Sequence, residues 1–397
     1  VFYQLKYLKN KIYIEVNYMT IILNEVKKIF NIKSVLLLMA ITGVMYFLFI
    51  EFHITNFPNG RPALDIYNMF VEMKDKYGEF MDEEEFEDFK VRYNEAKEEA
   101  DKYIQSREDF KKVGITNYDE FVNMDISNKE LDELHSDVIF KKRIDVFWEL
   151  PWREEYIRVY ENRDEIIMSS ASNENQEVRI KEILEKDIGT SVFNDVVFSN
   201  YNILIKYVAI TILIGIMFMI TPIYLKDNKN KMNYLQYTSK IGRDIFKKKI
   251  IAGILSAFII ISLQLIGFFV LYSSNNVSMF FNSNVNSIFN SIISWYDFTF
   301  IQYIILTVVA IYVLGFVFTL ISMLVSSIGQ NYITVIGIQL PIALFTFKVL
   351  LKYLINYMTS ISYPKYFLPV SYLVLIFIAI MSMTIRWKRE RWLDIVD

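Results

Sequence analysis

Long apolar runs alternate with polar, charged stretches along this chain, and that alternation organises everything else. Crossing the hydrocarbon core of a bilayer takes roughly 20 apolar residues in a helix. Six runs reach that scale: 34–50, 203–225, 250–272, 298–327, 332–354 and 366–385. One such run could be a buried core helix; six in one chain predict an all-α integral membrane protein with six transmembrane helices. Pro341 in the fifth run and Pro369 in the sixth are expected kink points, since proline removes a backbone donor. The first run is too long for a signal peptide, has no small-x-small cleavage pattern and is followed by further spans.

The polar stretches differ from one another. Residues 51–202, between the first two runs, are long enough for a domain of their own and carry a net charge of roughly −17. Their apolar positions recur at helical spacing. Phe86, Phe89, Tyr93 and Ala96 share one face of a predicted helix that Gly114 would stop. The SNKE stretch from Ser127 to Glu130 reads as a capping box, Pro151 and the SSASNEN segment from Ser169 as breaks, and QEVRIKEILEKDIG as a helix ending at Gly189. The expectation is a large, mainly helical, acidic extracytoplasmic domain. Its acids at 82–88 lack the alternating ligands and central glycine of a calcium loop and read as a solvated helix face. Phe147, Trp148 and Trp152 are candidate substrate contacts, although a small aromatic core accounts for them equally simply.

The remaining polar stretches are basic. Lys6, Lys9, Lys11, Lys27, Lys28 and Lys33 precede the first run, eight Lys and Arg lie within 226–249, and Arg386, Lys388, Arg389 and Arg391 follow the sixth. Segment 273–298 has no Lys or Arg. With six spans all three basic segments fall on one side, which the positive-inside rule makes cytoplasmic. Segment 1–33 is thus a cytoplasmic N-terminal segment with an amphipathic lead-in (24–31), 226–249 a cytoplasmic loop, and 386–397 a cytoplasmic tail. Translation is expected to start at Met19 rather than Val1. Lys206, Lys348 and Lys352 lie near expected outer ends, where they would snorkel to the interface.

Chemistry narrows little further. With no Cys and only His53 and His135, thiolate, disulfide and histidine-metal chemistry have no material. No G-x-x-x-x-G-K-[ST], G-x-S-x-G or H-E-x-x-H pattern occurs. The abundance of Ile, Asn, Lys, Phe and Tyr suggests a low-GC bacterium, and so its plasma membrane.

The stretch YLKDNKNKMNYLQYTSKIGRDIFKKKIIAGIL, around the 226–249 loop, combines its charge with apolar Met232, Leu235, Ile241 and Phe246. It resembles the connection between the second and third spans of ABC-2 type permeases, the membrane subunits of ATP-driven exporters. The resemblance implies an acid opening the loop (Asp227), a hydrophobic coupling stretch (Met232, Tyr234, Leu235), a Ser-x-x-x-Arg pattern from Ser239 through Gly242 to Arg243, and Lys249 before the third span. Asn230 and Lys231 stand where many members have a glycine. It further implies a homodimer or heterodimer of permeases in the lipid bilayer, docked on cytoplasmic ABC ATPase subunits, with no nucleic acid involved. ATP and Mg would sit on the partner, and this chain would hold no cofactor and catalyse nothing itself. Two other readings are a membrane sensor whose acidic domain binds a ligand and a secondary transporter. The latter predicts mid-membrane ionisable groups and repeated halves, which the apolar runs do not display.

Overall fold

In a computed structural model, which describes residues 19–238 and 242–392, the chain is helical throughout; strand-like pairing is confined to isolated bridges among the described residues. Six helices are long and apolar enough to cross a membrane: Ile32–Thr55, Asp195–Lys229, Gly242–Asn275, Phe300–Ile328, Tyr332–Leu354 and Phe367–Trp392. They extend past the apolar runs because polar ends continue the helices beyond the hydrocarbon. The second gains about two turns before Ile203, starting at the cap Asn194, whose side chain accepts from Val197 N.

The second and fourth helices form the centre of the bundle. The second packs on the first, third and fourth; the fourth also carries the fifth and sixth. The first and sixth turn most of their apolar surface outward: Phe47, Leu48, Leu373 and Phe377 are exposed. In water such a belt would be an aggregation site; in a bilayer it is the expected outer face. Close approach at the centre needs small residues. A Cβ on Gly315 would lie 2.6 Å from Ile261 Cδ1 and 3.2 Å from Ile216 Cδ1, so glycine lets the second, third and fourth helices meet there.

Proline acts at a different place from the one expected. Pro369 is the third residue of its helix, within the first turn, where an N–H has no intrahelical partner to lose, so it kinks nothing. Pro341 lies inside Tyr332–Phe345, and that helix loosens into a π-helical stretch at Thr346–Leu350. The break that matters is at Pro222, first residue of a helical extension Pro222–Lys229 of the second span. Ser326 of the fourth span braces it: its Oγ donates to Thr221 O (2.5 Å) and accepts from Tyr224 N (3.4 Å) and Leu225 N (3.3 Å).

Between the first two spans the chain folds eight α-helices, from Ala63–Tyr77 to Glu174–Glu185. Asp82 caps Glu83–Gln105 in a reciprocal box with Glu85, and the acids 83–85 sit in the first turn, where the helix dipole favours negative charge. That helix stops at Ser106, before Gly114; Gly114 (φ +77°) instead closes the short helix Glu108–Lys112. The cap of Lys129–Ser136 is Asn128 rather than Ser127, whose hydroxyl turns to Asp125. Pro151 lies inside a continuous helix, Asp145–Glu161, and marks no break.

Insert residues enter three cores, the smallest of which joins Ile167 and Ile180 to Trp295 and Ile361; the other two are larger. One is the insert's own, built from Ala100, Ile104, Phe110, Tyr118, Phe121, Phe147 and Leu150. The other, with Met69, Phe70, Phe86 and Tyr160, is continuous with the core of the membrane bundle. Segment 273–298 packs into the shared core through Val277, Phe280, Val285 and Phe289. Ser283, Asn284, Asn286, Ser287 and Ser294 within the segment are buried and bonded: Ser287 Oγ donates to Ser191 O (2.6 Å), and Ile288 N to Gly189 O (2.8 Å). Lys74, 7% exposed, donates to Ser283 Oγ (2.7 Å) and pairs with Glu79. Burial lowers the Lys74 pKa and the Glu79 carboxylate works against that drop. Arg179 reaches Ser294 O (3.2 Å) and pairs with Asp297.

Candidate coupling site at the basic end of the bundle

The helical extension Pro222–Lys229 carries Asp227 past the end of the second span, on the side facing the third. Lys249, in the second turn of Ile245–Tyr272, meets it there. The two are 6% and 2% exposed and form an ion pair. Lys249 Nζ also donates to Ile223 O (3.0 Å) and lies 5.3 Å from the centroid of the Tyr224 ring. Gln236 Nε2 donates to Asp227 Oδ2 at 2.7 Å, and Lys28 Nζ stands 3.9 Å away. One carboxylate thus gathers the second span, the third span, the loop between them and helix 19–29. Such a pair tolerates burial because every charge has a partner; removing one partner would strand the other. Tyr224 adds a second tie: its hydroxyl donates to Phe246 O (3.0 Å) and its ring stacks on that of Phe246 at 4.8 Å.

Beyond Asn230 the chain turns through Lys231, which takes a left-handed conformation (φ +54°), into a short helix, Met232–Thr238. Leu235 on that helix is 68% exposed and Met232 is exposed as well. The side chain of Tyr234 and all of Ser239 lie outside the described residues. Gly242 takes a left-handed conformation (φ +56°) that suits glycine. Arg243 then anchors the loop. Its guanidinium donates to the backbone carbonyls of Glu390 (3.2 Å) and Arg391 at the end of the sixth span and lies 5.6 Å from the Tyr237 ring. Tyr237 in turn donates to the Glu390 carboxylate. Burial first, and then that carboxylate, raises the phenol's pKa, so it stays a donor. Arg386 secures the other side, donating to Ser327 O (2.8 Å) of the fourth span and pairing with Glu390 at 2.8 Å. Lys247 lies over the Trp387 ring at 4.2 Å.

The structure therefore brings Asp227, Gly242, Arg243 and Lys249 into the frame of one loop, with Met232 and Leu235 facing outward from it. Sequence reasoning missed Lys28, Gln236, Tyr237 and Glu390. Only Glu390 left a signal, as the one acid within the basic run 386–391. Phe147, Trp148 and Trp152 belong to the insert and do not share one groove. Phe147 is buried in the insert's own core against Tyr103, Tyr118 and Phe121, and Trp148 Nε1 donates to Ile139 O (3.0 Å). Trp152 packs with Tyr156 on the shared core.

Comparison with protein-family models, with curated proteins and with solved structures returns no match to this chain.

Proposed function

We propose that this chain is the membrane subunit of an ATP-driven exporter of the ABC-2 type, with its basic end in the cytoplasm and the acidic helical insert outside. ATP and Mg are then bound by a separate ATPase that docks on the 226–249 loop, and two permease subunits form the path. The observation that carries this reading is the form of the loop. A topology signal needs charge and no particular shape. Here a short helix is tied through Gln236 to a buried ion pair on one side and through Tyr237 to Glu390, near Arg243, on the other, while Leu235 is exposed. A framed helix with an exposed apolar side chain is what a helix-in-groove contact requires. A push on it passes to the second, third and sixth spans through Asp227, Lys249 and Glu390.

Leu235→Asp tests this. A charge in the contact costs about 2–4 kcal/mol of binding if Leu235 is a central contact, enough to abolish co-purification with a co-expressed ABC ATPase partner. The variant should insert and unfold like the parent, because Leu235 is largely exposed within the chain. Retained ATPase binding and transport in Leu235→Asp would refute the coupling role.

A further inference from the structure

A second feature of the same end of the bundle adjoins the coupling frame and shares Lys28 and Asp227 with it. Between helix 19–29 and the extension Pro222–Lys229 lies a cleft of about 340 Å³. Its floor is apolar, formed by Ile29, Met219 and Ile223. Its rim includes Lys226 and Lys229, which are exposed and make no ion pair or side-chain hydrogen bond among the described residues. It also includes Glu25, which is 4% exposed; one carboxylate oxygen bonds Lys28 at 2.6 Å, and the other, also buried, has no partner. The cleft opens at the level where the first span begins, at the cap Asn31, and where the fifth begins, at Tyr332. Beside it the first span exposes Leu36, Leu37 and Met39.

Each part constrains the occupant. Two unpaired ammonium groups at the rim ask for an anion, and at this depth in a membrane the abundant anion is a lipid phosphodiester. A buried carboxylate oxygen without a donor is costly and would repel a bare phosphate, so the occupant must also bring a hydroxyl or ammonium donor. With two positive charges unbalanced at the rim, a headgroup of net negative charge with neutral hydroxyl donors fits better than a zwitterion. The apolar floor and the outward leucines of the first span provide the path for an acyl chain. We infer that this cleft is a binding site for an anionic phospholipid with a hydroxylated headgroup of the phosphatidylglycerol type. Lys226 and Lys229 hold its phosphate, and Glu25 accepts from its hydroxyl. The inference rests on the chain spanning a membrane and not on any ATPase partner.

The test uses the full chain purified in mild detergent. Native mass spectrometry and thermal unfolding are followed with added phosphatidylglycerol, phosphatidylcholine or inorganic phosphate. One phosphatidylglycerol should be retained per chain and raise Tm, with phosphatidylcholine and phosphate doing neither. Lys226→Gln/Lys229→Gln should weaken retention at least tenfold, while Lys27→Gln/Lys388→Gln, which removes equal charge outside the cleft, should leave it unchanged. Glu25→Gln, which keeps an acceptor but adds a donor and removes the negative charge, should let inorganic phosphate compete. Equal losses in the two lysine pairs would mean a diffuse basic surface and overturn the site. So would stabilisation by phosphate alone, which would mark a free-anion site. If instead the rim lysines serve a protein partner, lipid retention will not respond to them, and the inference falls.

Discussion

Replacing Lys249 by Met would leave Asp227 buried without its main counter-ion, and this is the sharpest test of how the loop is built. The carboxylate would keep Gln236 at 2.7 Å and Lys28 at 3.9 Å. Lys28 is already engaged by Glu25 and is half exposed, so it screens Asp227 only weakly. Breaking a buried pair from one side typically costs 3–5 kcal/mol. The residual partners put Lys249→Met at the low end, about 3 kcal/mol. The converse change, Asp227→Leu, leaves the Lys249 ammonium with Ile223 O and the Tyr224 ring alone. It belongs near the upper end, about 4–5 kcal/mol. The double variant removes both charges, and a well-packed apolar pair can be nearly neutral, so it should cost about 1–2 kcal/mol. The cycle thus predicts a coupling energy of at least about 5 kcal/mol, above the range usual for contacting pairs. Denaturant-dependent unfolding of the purified chain in one fixed detergent, read by tryptophan fluorescence, gives the four stabilities. Additive single costs would show that Asp227 and Lys249 do not depend on each other, and the frame drawn around Met232–Thr238 would fail.

Two further outcomes follow from the insert and the overall orientation. Burial raises the Asp297 pKa, but Arg179 and Lys186 outweigh it and leave it below the usual carboxylate range; its contribution to stability is therefore present above about pH 4 and lost as pH falls through and below that range, so Asp297→Asn should flatten the acid limb of a Tm-against-pH curve and leave Tm at pH 9 to differ by a constant offset. Since the chain has no cysteine, single cysteines report orientation cleanly: at exposed Ser169 or Ser274 they should react with an impermeant maleimide in intact cells and at Thr238 only after lysis, whereas labelling at 238 from outside would invert the topology. Ser283 is unsuited to that assay because it is fully buried.

The sequence revealed the spans because membrane helices answer to one requirement above all others, an apolar surface along about 20 residues, which composition alone reports. Helical spacing in the insert was legible for the same reason: Phe86 and Phe89 are buried where periodicity put them. What was hidden depends on partners far away in the chain. Segment 273–298 is rich in Ser and Asn, yet Ser283 and Ser287 are buried because backbone carbonyls of 191–192 and the Lys74 ammonium satisfy them, and Asn286 is buried against Tyr296 O and Ser294 N. Pro369 and Pro222 look alike as prolines; only their position relative to a helix start and to Ser326 separates them. Asp227 and Lys249 were singled out only through a resemblance, and nothing in their spacing shows that they meet. The shared core of insert and bundle likewise arises from packing across a sequence gap that no local pattern reports.

The density of lysine and arginine in 226–249 divides into distinct tasks, and that division can be separated from orientation. Lys249 is buried and paired, Lys247 lies over an indole, and Lys226 and Lys229 rim a cleft. Arg243 is the informative member, because its work depends on shape rather than charge. Its guanidinium reaches two successive carbonyls, of Glu390 and Arg391, while lying near the Tyr237 ring. A lysine keeps the charge but has neither the planar fork nor the stacking face. Arg243→Lys should therefore insert with unchanged topology yet release the loop from the sixth span, at a cost of about 1–2 kcal/mol for one or two lost hydrogen bonds. Opening of the short helix by that amount would speed amide exchange in Met232–Thr238 by roughly 5- to 30-fold, since 1.4 kcal/mol corresponds to tenfold. Exchange in the core of the second span should stay unchanged. A purely topogenic loop predicts that arginine and lysine are interchangeable here, so equal exchange rates in the two proteins would return the loop to a charge signal and remove its connection to the sixth span.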